Sequence, residues 1–372
     1  MKKILIVLNN YGMGGTVTSL CALLSKIDTQ KVIADVFVRD HSGPLAGKLA
    51  NCTILPENLW LSHNIYNSGF LVKKINYMLL CVRKIFEMIN VDVFRIYNFI
   101  GGKKIGTEKY DAVIGFSESL SRYISFIPAR QRIIWVHCDY RRYAKGVDES
   151  KYYDRIDKIV CVSEFAKKIF CEYYPKYIKK VSCIHNIINE EDLHLKSSFP
   201  IDDSRFNNNS FTIVSCGRFD SVKQFQLIPS IIDKVLKLTD KPFKWYIIGD
   251  GAIEIKNRIQ QEINHYNVSN YICCLGMKTN PYPYMAKANL YVCTSFSESY
   301  PMVVNEAKAL KVPVLCNTFP SAIESVQNGI DGYILDIEKM PPVIANMIEN
   351  PMKNMKSKSE NDIILNQIYG IL

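Results

Sequence analysis

The stretch NLYVCTSFSESYPMVVNEAKAL occupies residues 289–310 and predicts a strand, a turn and a helix in succession. Residues 290–293 are a short apolar run bounded by polar residues, which is typical of a buried strand. After a polar loop, Pro301 stands where the first turn of a helix accepts proline, and apolar residues then recur at helical spacing. The first-turn amides of this helix should therefore point into the crevice above the end of the strand.

Two carboxylates flank the start of this helix. A helix N-terminus offers unpaired N–H groups and about half a positive charge, which suits a phosphate group. Glu298 on the loop can reach the hydroxyl groups of a ligand, and Glu306, about two turns further on, can reach deeper into the same crevice. The alternative is that both glutamates are solvated surface residues.

The spacing of the two glutamates carries a family resemblance. Seven residues separate Glu298 from Glu306, and Tyr300 and Pro301 lie between them. This pattern resembles the signature of family 4 of the retaining glycosyltransferases, and the resemblance covers nearly the whole chain. It implies an α/β chain of the GT-B fold, in which two Rossmann-like domains face each other across a cleft and a C-terminal helix crosses back to the first domain.

Size and composition agree with two domains. The 372 residues are about twice the usual domain length, and 48% of them are hydrophobic. Residues 196–210 lack periodicity and are rich in Ser, Asn and Asp, so we place the domain change there. The predicted domains are residues 1–195 on the acceptor side, residues 196–355 for the nucleotide sugar, and a tail helix in residues 356–372 that packs on the first domain.

The net charge of +10 favours an anionic partner, namely a nucleotide diphosphate, an acidic lipid or nucleic acid. We expect no nucleic-acid partner, because no recognisable binding module accompanies the charge. The 12 cysteines include no C-x-x-C pair and are typical of small buried hydrophobes in a reducing compartment. No stretch approaches the roughly 20 apolar residues that span a bilayer, so we expect a cytoplasmic protein.

A glycine-rich turn follows the first predicted strand, residues 3–8. A G-x-G-x-x-G fingerprint would need glycine where Val17 stands, which disfavours a dehydrogenase. In the resembling family the paired glycines of this loop lie over the donor diphosphate and near the acceptor, a role that Gly14 and Gly15 match. A plain tight turn is the alternative.

His137 follows the predicted strand at residues 132–136, at the sheet edge where α/β folds bind ligands. A lone histidine is more often structural than catalytic. The resemblance assigns His137 a contact with the donor sugar.

Arg218 and Lys223 surround a predicted strand-to-helix turn and form a compact cationic clamp for phosphate oxygens. They resemble the family's G-R-x-x-x-x-K motif, whose cations neutralise the leaving diphosphate. The family usually has glycine after the lysine, whereas this chain has Gln224, which leaves the path of the turn open. Gly276, at the end of another predicted strand, matches the backbone contact to the nucleotide base.

The resemblance implies transfer of a hexose or N-acetylhexosamine from a nucleoside diphosphate sugar to a saccharide acceptor, with retention of configuration. Glu298 would hold sugar hydroxyls, Glu306 the ribose and His137 the far side of the sugar. We expect no metal and no cofactor, since the chain has no Asp-x-Asp motif suited to holding a cation on a diphosphate. Fixed positive charge would come from Arg218 and Lys223 and from the first turn of the helix. The residues of that turn are Tyr300, Pro301, Met302 and Val303.

The partners are less constrained by the sequence. Uridine diphosphate is favoured over guanosine diphosphate as the donor nucleotide, and a lipid-linked acceptor in polysaccharide or capsule assembly is expected. Residues 69–90 predict an amphipathic helix with a basic face, which packs on the core or contacts an anionic membrane at its inner face. Lys103, Lys104 and Lys109 extend the basic bias.

Two other functions remain open at this point. A sugar-nucleotide epimerase of the same architecture needs an acid/base pair about the second sugar carbon, and no pair can be nominated. A non-catalytic binding protein would bind the donor without transferring sugar, although the joint presence of Arg218, Lys223, Glu298 and Glu306 argues against it.

Overall fold

The computed structural model describes residues 1–12, 14–58, 93–144, 148–352 and 359–372. The chain divides into two compact units, residues 1–187 together with 361–372, and residues 188–360. Each unit is built around one parallel sheet. The predicted amphipathic helix at residues 69–90 lies outside the described residues, and the predicted domain boundary at 195/196 stays a prediction.

The sheet of the first unit has the strand order β3-β2-β1-β4-β5-β6-β7 among the described residues, and its pairs are parallel. Its strands are β1 Lys2–Asn10, β2 Val32–Asp40, β3 Cys52–Ile54, β4 Ala112–Gly115, β5 Arg132–Val136, β6 Lys158–Cys161 and β7 Val181–Cys183. The central strands read as continuous apolar runs because both of their faces are covered.

Helices connect these strands. They are α1 Gly15–Lys26, α2 Val93–Ile105, α3 Ser121–Ile124, α4 Tyr140–Tyr143, α5 Ser150–Tyr153 and α6 Glu164–Tyr173. Helix α6 begins after Ser163, because the Ser163 hydroxyl accepts a hydrogen bond from the Ala166 amide at 3.0 Å and caps the first turn.

The sheet of the second unit has the order β10-β9-β8-β11-β12-β13 and is also parallel in the described residues. Its strands are β8 Phe211–Cys216, β9 Phe243–Ile248, β10 Ile272–Gly276, β11 Leu290–Cys293, β12 Val314–Cys316 and β13 Gly332–Ile334. Its helices are α7 Glu190–Ser197, α8 Ile228–Leu236, α9 Ile253–Tyr266, α10 Tyr282–Ala286, α11 Met302–Ala309, α12 Ala322–Ser325 and α13 Met340–Glu349.

Alternate residues of β9 supply both cores of the second unit. Trp245 and Ile247 pack into the core on one face of the sheet, and Tyr246 and Ile248 pack into the core on the other. Helices cover both faces, so the expectation of two Rossmann-like parallel-sheet units in an α/β chain is confirmed.

The last helix, α14 Asn361–Ile371, belongs to the first unit, as the expectation for the fold requires. Ile364 and Ile368 are buried there. The Asp28 amide donates to the Tyr369 hydroxyl at 2.8 Å, and the Lys158 ammonium donates to the Ile371 carbonyl at 2.6 Å. The C-terminal helix therefore returns to the unit in which the chain begins.

One local pattern misleads. The glycine-containing sequence at residues 328–332 predicts a hairpin-like turn before a strand, but β13 pairs with β12 in parallel, so the turn joins no hairpin. Residues 225–238 look helical in sequence, and the structure is helical over most of this stretch. A 3-10 turn at Phe225–Leu227 leads directly into α8, whose first turn accommodates Pro229.

In the described parts of the chain, every helix is too short or too polar to traverse a bilayer.

Candidate active site

The site of the second unit lies at the point where its strand order reverses. Strand β8 has β9 on one side and β11 on the other, so the loops after β8 and β11 leave the sheet in opposite directions. Ligands of open α/β sheets bind at such a switch point, beyond the carboxyl ends of the strands. The loop after β8 carries Arg218 and Lys223, and the loop after β11 carries Glu298.

Lys223 and Glu298 form an ion pair between these two loops. The Lys223 ammonium lies 2.6 Å from Oε1 of Glu298, and each side chain is only 17% exposed. The Ser295 hydroxyl donates to the same carboxylate oxygen at 2.8 Å. Burial alone would lower the pKa of Lys223, but the adjacent carboxylate raises it above its usual value, so the lysine stays protonated.

Hydrogen bonds join the two loops along their length. The Phe296 amide donates to the Val222 carbonyl at 3.0 Å, and the Thr294 hydroxyl donates to the Lys223 carbonyl at 2.6 Å. A third loop, the one after β12, joins them, because its Ser321 hydroxyl donates to the Glu298 carbonyl at 2.6 Å. These bonds fix the loops against each other before any ligand binds.

Arg218 lies on the same turn as Lys223, and its side chain is 76% exposed. Its guanidinium contacts Asp220 Oδ2 at 3.1 Å, and the other oxygen of Asp220 accepts the amides of Val222 at 3.0 Å and Lys223 at 3.2 Å. Asp220 therefore organises the turn that presents both cations. This role of Asp220 was not predicted from its residue type, although an aspartate bonded to an amide two residues later is a recognised turn signal.

The backbone explains the departure of this turn from the family pattern. Gln224 has φ +52° and ψ 33°, in the left-handed region that favours glycine. The turn therefore follows a path that suits glycine, even though glutamine occupies it. Gly217, on the same loop, leaves room for the lysine, since a Cβ there would lie 3.1 Å from Cε of Lys223.

Glu306 is buried on α11, with 5% of its surface exposed. The Tyr282 hydroxyl donates to its Oε1 at 3.2 Å. Burial raises the pKa of Glu306 to about 7, and the hydrogen bond from Tyr282 opposes that rise. The carboxyl group therefore titrates near neutral pH, which could not be predicted from residue type and spacing.

Helix α11 begins at Met302, with Pro301 as the preceding cap residue, one position later than the sequence suggests. The amides of Met302 and Val303 lie in the first turn, ahead of the first intrahelical bonds, which run from Val304 and Asn305 to the Pro301 carbonyl. Tyr300 immediately precedes this turn. The first-turn donors thus start directly after the loop that carries Glu298.

Gly276 ends β10 with φ +76°, a conformation that favours glycine. Arg205 steadies the strand just before it, donating to the carbonyls of Cys274 at 3.2 Å and Leu275 at 2.9 Å. Asp203 holds Arg205 at 2.6 Å and Lys278 at 2.8 Å. Residues 203 and 205 lie in the stretch that the sequence predicts as a linker, so their part in this strand end was missed.

The first unit has its own switch point, between β1 and β4. Gly14 precedes α1 in an extended conformation with φ −176°, and Gly15 opens the helix. A Cβ added to Gly14 would meet no atom within 4 Å. The protein itself therefore does not require glycine at position 14.

His137 follows β5 in the first unit. Its amide donates to Oε2 of Glu118 at 2.9 Å, and its ring lies 5.0 Å from that of Phe116. Ring Nε2 is buried and has no hydrogen-bond partner among the described residues. Desolvation lowers the pKa of His137 to about 3, so the imidazole is neutral at pH 7.

Glu118 was not singled out from the sequence, although it lies in the polar turn that follows β4. Burial raises the pKa of its carboxyl group. Nearby, the Asn9 side-chain amide donates to the Ser119 hydroxyl at 2.7 Å, and Arg39 donates to Asn9 at 2.9 Å. The turn after β4 is thus bonded to the ends of both β1 and β5.

The predicted site residues fall into two groups. The first unit contains Gly14, Gly15 and His137. The second unit contains the larger group, in which the structure brings Lys223 and Glu298 into direct contact. The residues of that group are Arg218, Lys223, Gly276, Glu298, Tyr300, Pro301, Met302, Val303 and Glu306.

Known proteins resemble this chain in sequence and in fold. Residues 199–366 match the family Glycosyl transferases group 1. The second unit is similar to that family along most of its length. Over 180 residues the chain is 31% identical to the uncharacterized glycosyltransferase MJ1059 of Methanocaldococcus jannaschii, an alignment that covers 46% of this chain and 43% of that protein.

A second relative comes from Campylobacter jejuni. It is named N-acetylgalactosamine-N,N'-diacetylbacillosaminyl-diphospho-undecaprenol 4-alpha-N-acetylgalactosaminyltransferase and is 28% identical over 143 residues, which cover 38% of this chain and 36% of that protein. The chain thus matches less than half the length of either curated relative.

The fold is shared with solved structures. The Anabaena protein Alr3699/HepE, solved in complex with UDP and glucose, superimposes with a TM-score of 0.69 at 16% identity and covers 94% of this chain and 90% of its own. The two parallel-sheet units therefore have the GT-B architecture.

Proposed function

We propose that this chain transfers a hexose or N-acetylhexosamine from a nucleoside diphosphate sugar to a hydroxyl group of a saccharide acceptor, in the assembly of a polysaccharide or other surface glycan. One observation carries the proposal. The ion pair of Lys223 and Glu298 joins the loops after β8 and β11 at the switch point, within the region that matches Glycosyl transferases group 1.

The cations of the site can stabilise a diphosphate leaving group. Negative charge develops on the leaving phosphate oxygen as the bond from sugar to oxygen breaks. Arg218, Lys223 and the amides of Met302 and Val303 supply fixed positive charge that needs no reorganisation during the reaction. We propose that these groups replace a divalent cation in that role.

Glu298 has a second task in this proposal. Its carboxylate accepts hydrogen bonds from hydroxyl groups of the donor sugar and at the same time holds Lys223 at 2.6 Å. This ion pair keeps the lysine charged and places it near the anomeric carbon of the sugar. Glu306 accepts from the ribose, Gly276 approaches the base, and His137 contacts the far side of the sugar.

Retention of configuration is the stereochemical outcome that we propose. The acceptor hydroxyl attacks the anomeric carbon from the face that the diphosphate leaves, and the departing phosphate oxygen takes the proton. The bond from the anomeric carbon to the phosphate oxygen breaks, and a bond to the acceptor oxygen forms. The family resemblance supports this stereochemistry, and no side chain of the site is assigned as a covalent nucleophile.

The donor nucleotide that we propose is uridine diphosphate, in line with the UDP bound by the Anabaena structure. The acceptor is a lipid-linked saccharide, in line with the diphospho-undecaprenol in the name of the Campylobacter relative. Such an acceptor places the reaction at the inner face of the cytoplasmic membrane, where the net charge of +10 favours anionic lipid.

The experiment is a two-stage assay of the purified protein. Thermal unfolding is first measured against a panel of uridine and guanosine diphosphate sugars, and the stabilising donors are then incubated with saccharide acceptors. We expect stabilisation by UDP sugars and transfer with retention, detected by NMR of the product. Formation of an epimer from the donor alone would favour the epimerase instead, and binding without transfer would favour a non-catalytic protein.

Membrane contact is tested separately by sedimentation with vesicles. We expect the protein to bind vesicles that contain phosphatidylglycerol at low salt and to be released as the ionic strength rises. Neutral phosphatidylcholine vesicles are the control. A protein that stays in the supernatant with both kinds of vesicle at low salt would contradict the membrane proposal and leave the transferase proposal standing.

A further inference from the structure

Tyr282 is the first residue of helix α10, and its hydroxyl donates a hydrogen bond to one carboxylate oxygen of Glu306. Its hydroxyl lies 3.2 Å from Oε1 of the glutamate, and the glutamate is 5% exposed. Within the described residues, this hydroxyl is the one hydrogen-bond donor to that carboxylate. The second oxygen, Oε2, is therefore the one that is left to accept from a ligand.

Helix α7 packs against both α10 and α11 and brings further charged groups near Glu306. Lys196, at its end, is paired with Asp192 at 2.5 Å. The Asn280 side chain donates to the Lys196 carbonyl at 2.8 Å, which ties the start of α10 to the end of α7. The position of the Tyr282 hydroxyl is thus set by packing between helices.

The other titratable groups around Glu306 come from β8 and the loop after it. They are Cys216, whose thiol pKa rises through burial and the nearby Glu306 carboxylate, and Lys223, which is paired with Glu298. Both nearby cations, Lys196 and Lys223, therefore have carboxylate partners of their own. The group that bonds Glu306 directly is Tyr282.

We infer that Tyr282 is a positioning residue for the nucleotide, whose hydroxyl orients the Glu306 carboxylate and keeps it ionised, so that Oε2 accepts a hydrogen bond from the ribose. The inference rests on the proposed function, in which Glu306 holds the ribose of the donor. It adds a residue on a different helix, 24 positions earlier in the chain, to the nucleotide site.

The pH dependence of nucleotide binding follows from the ionisation of Glu306. A protonated Glu306 offers the ribose a weaker acceptor, so affinity for the nucleotide falls as the pH drops through about 7. Loss of the Tyr282 hydroxyl removes a bond that favours the ionised form, so it raises the pKa of Glu306 further. In Tyr282→Phe the acidic limb of the binding profile should therefore move to higher pH.

The experiment measures calorimetric affinity between pH 6 and pH 9 for UDP and for its 2′,3′-dideoxy analogue, with GDP and its analogue used if wild type prefers guanosine. We expect Tyr282→Phe to bind the diphosphate about tenfold more weakly at pH 7, with a smaller loss at pH 9. The dideoxy analogue should bind both proteins alike. With a competent donor, kcat should stay within about twofold of wild type, since the affected contact is the same in the ground and transition states.

Tyr284→Phe is the matched control. It lies on the same helix, and its hydroxyl donates to Asp202 at 2.8 Å, remote from Glu306 in the hydrogen-bond network. Its binding profile should follow wild type. Glu306→Gln provides a second variant. Its pH profiles for UDP and for the dideoxy analogue should coincide, because no carboxyl group remains to titrate and the terminal phosphate titrates in both ligands.

The outcomes separate the two proposals. The role of Tyr282 would be overturned by an unchanged UDP profile in folded Tyr282→Phe. It would also be overturned by a difference between the pH profiles of UDP and the dideoxy analogue that persists in Glu306→Gln. In either case, wild-type binding and transfer would still uphold the transferase. A wild-type protein that binds neither diphosphate and transfers no sugar would overturn the proposed function and this inference with it. Thermal unfolding of each variant establishes that it is folded.

Discussion

At the scale of single residues, the ion pair of Lys223 and Glu298 couples the chemistry of the site to the stability of the second unit. The residue types predicted this chemistry, because cations and carboxylates at strand ends suit a diphosphate and sugar hydroxyls. Their pairing was not predictable, because 75 positions separate them and only the strand order brings their loops together. Tyr282 was missed for the same reason, since its bond to Glu306 joins residues 24 positions apart, whereas Asp220 carries a local turn signal that was overlooked.

Removal of one member of this pair should destabilise the protein. Lys223→Met leaves the Glu298 carboxylate unpaired in a site where it is 17% exposed, which should cost about 3 kcal/mol of unfolding free energy. The double variant Lys223→Met, Glu298→Leu removes both charges and should recover most of that loss without recovering activity. Urea denaturation provides the measurement, and equal stabilities of the single and double variants would refute the coupling.

Gln224 lies in the left-handed region, and its replacement should stabilise the protein instead of destabilising it. Gln224→Gly should raise the unfolding free energy by about 0.5–1 kcal/mol, because glycine has no steric penalty at φ +52°. Asn267→Gly is the control, since asparagine already tolerates its own φ of +55° and should gain less. A loss of stability in Gln224→Gly would show that its side chain makes a compensating contact.

At the scale of secondary structure, the sequence was most informative where elements are buried. The strands β5 and β11 have the predicted bounds, because short apolar runs define them locally. The turn at residues 328–332 was misjudged because strand direction depends on the partner strand. The stretch 196–210 reads as a linker, yet Phe206 packs against Tyr246 with ring centroids 4.6 Å apart.

The packing of helix α14 can be tested by alanine substitutions at two neighbouring isoleucines. Ile364 is 5% exposed and Ile363 is 61% exposed, so the two differ mainly in burial. Ile364→Ala should cost about 2–4 kcal/mol, whereas Ile363→Ala should cost less than about 0.5 kcal/mol. Chemical denaturation measures both variants. Similar small effects in the two would contradict the packing of α14 in the first unit.

At the scale of the whole molecule, the sequence predicted two units from length and from a repeated pattern of strands and helices, and the structure has two parallel sheets with separate cores. The resemblance supplied the GT-B architecture, which composition could not. This architecture explains where the site residues lie. The two cations, Arg218 and Lys223, and the two glutamates, Glu298 and Glu306, are all in the second unit, residues 188–360.

Hydrogen exchange should locate the nucleotide on this architecture. Saturating UDP is expected to slow the exchange of amides in residues 217–224 and 294–303, since the diphosphate orders the two joined loops and the first turn of α11. Helix α13, which lies in the same unit and packs on α8, serves as the internal control and should exchange at an unchanged rate. Protection confined to α13 would place the nucleotide elsewhere.

Arg218 provides the most direct test of the claim that fixed cations stabilise the leaving diphosphate. Its side chain is 76% exposed and bonds only Asp220 among the described residues, so removal should leave the fold intact. The decisive measurement is kcat for sugar transfer by Arg218→Ala, with thermal unfolding as the control. The account predicts a fall of about a hundredfold or more at an unchanged unfolding temperature. Full activity in a folded Arg218→Ala protein would contradict it.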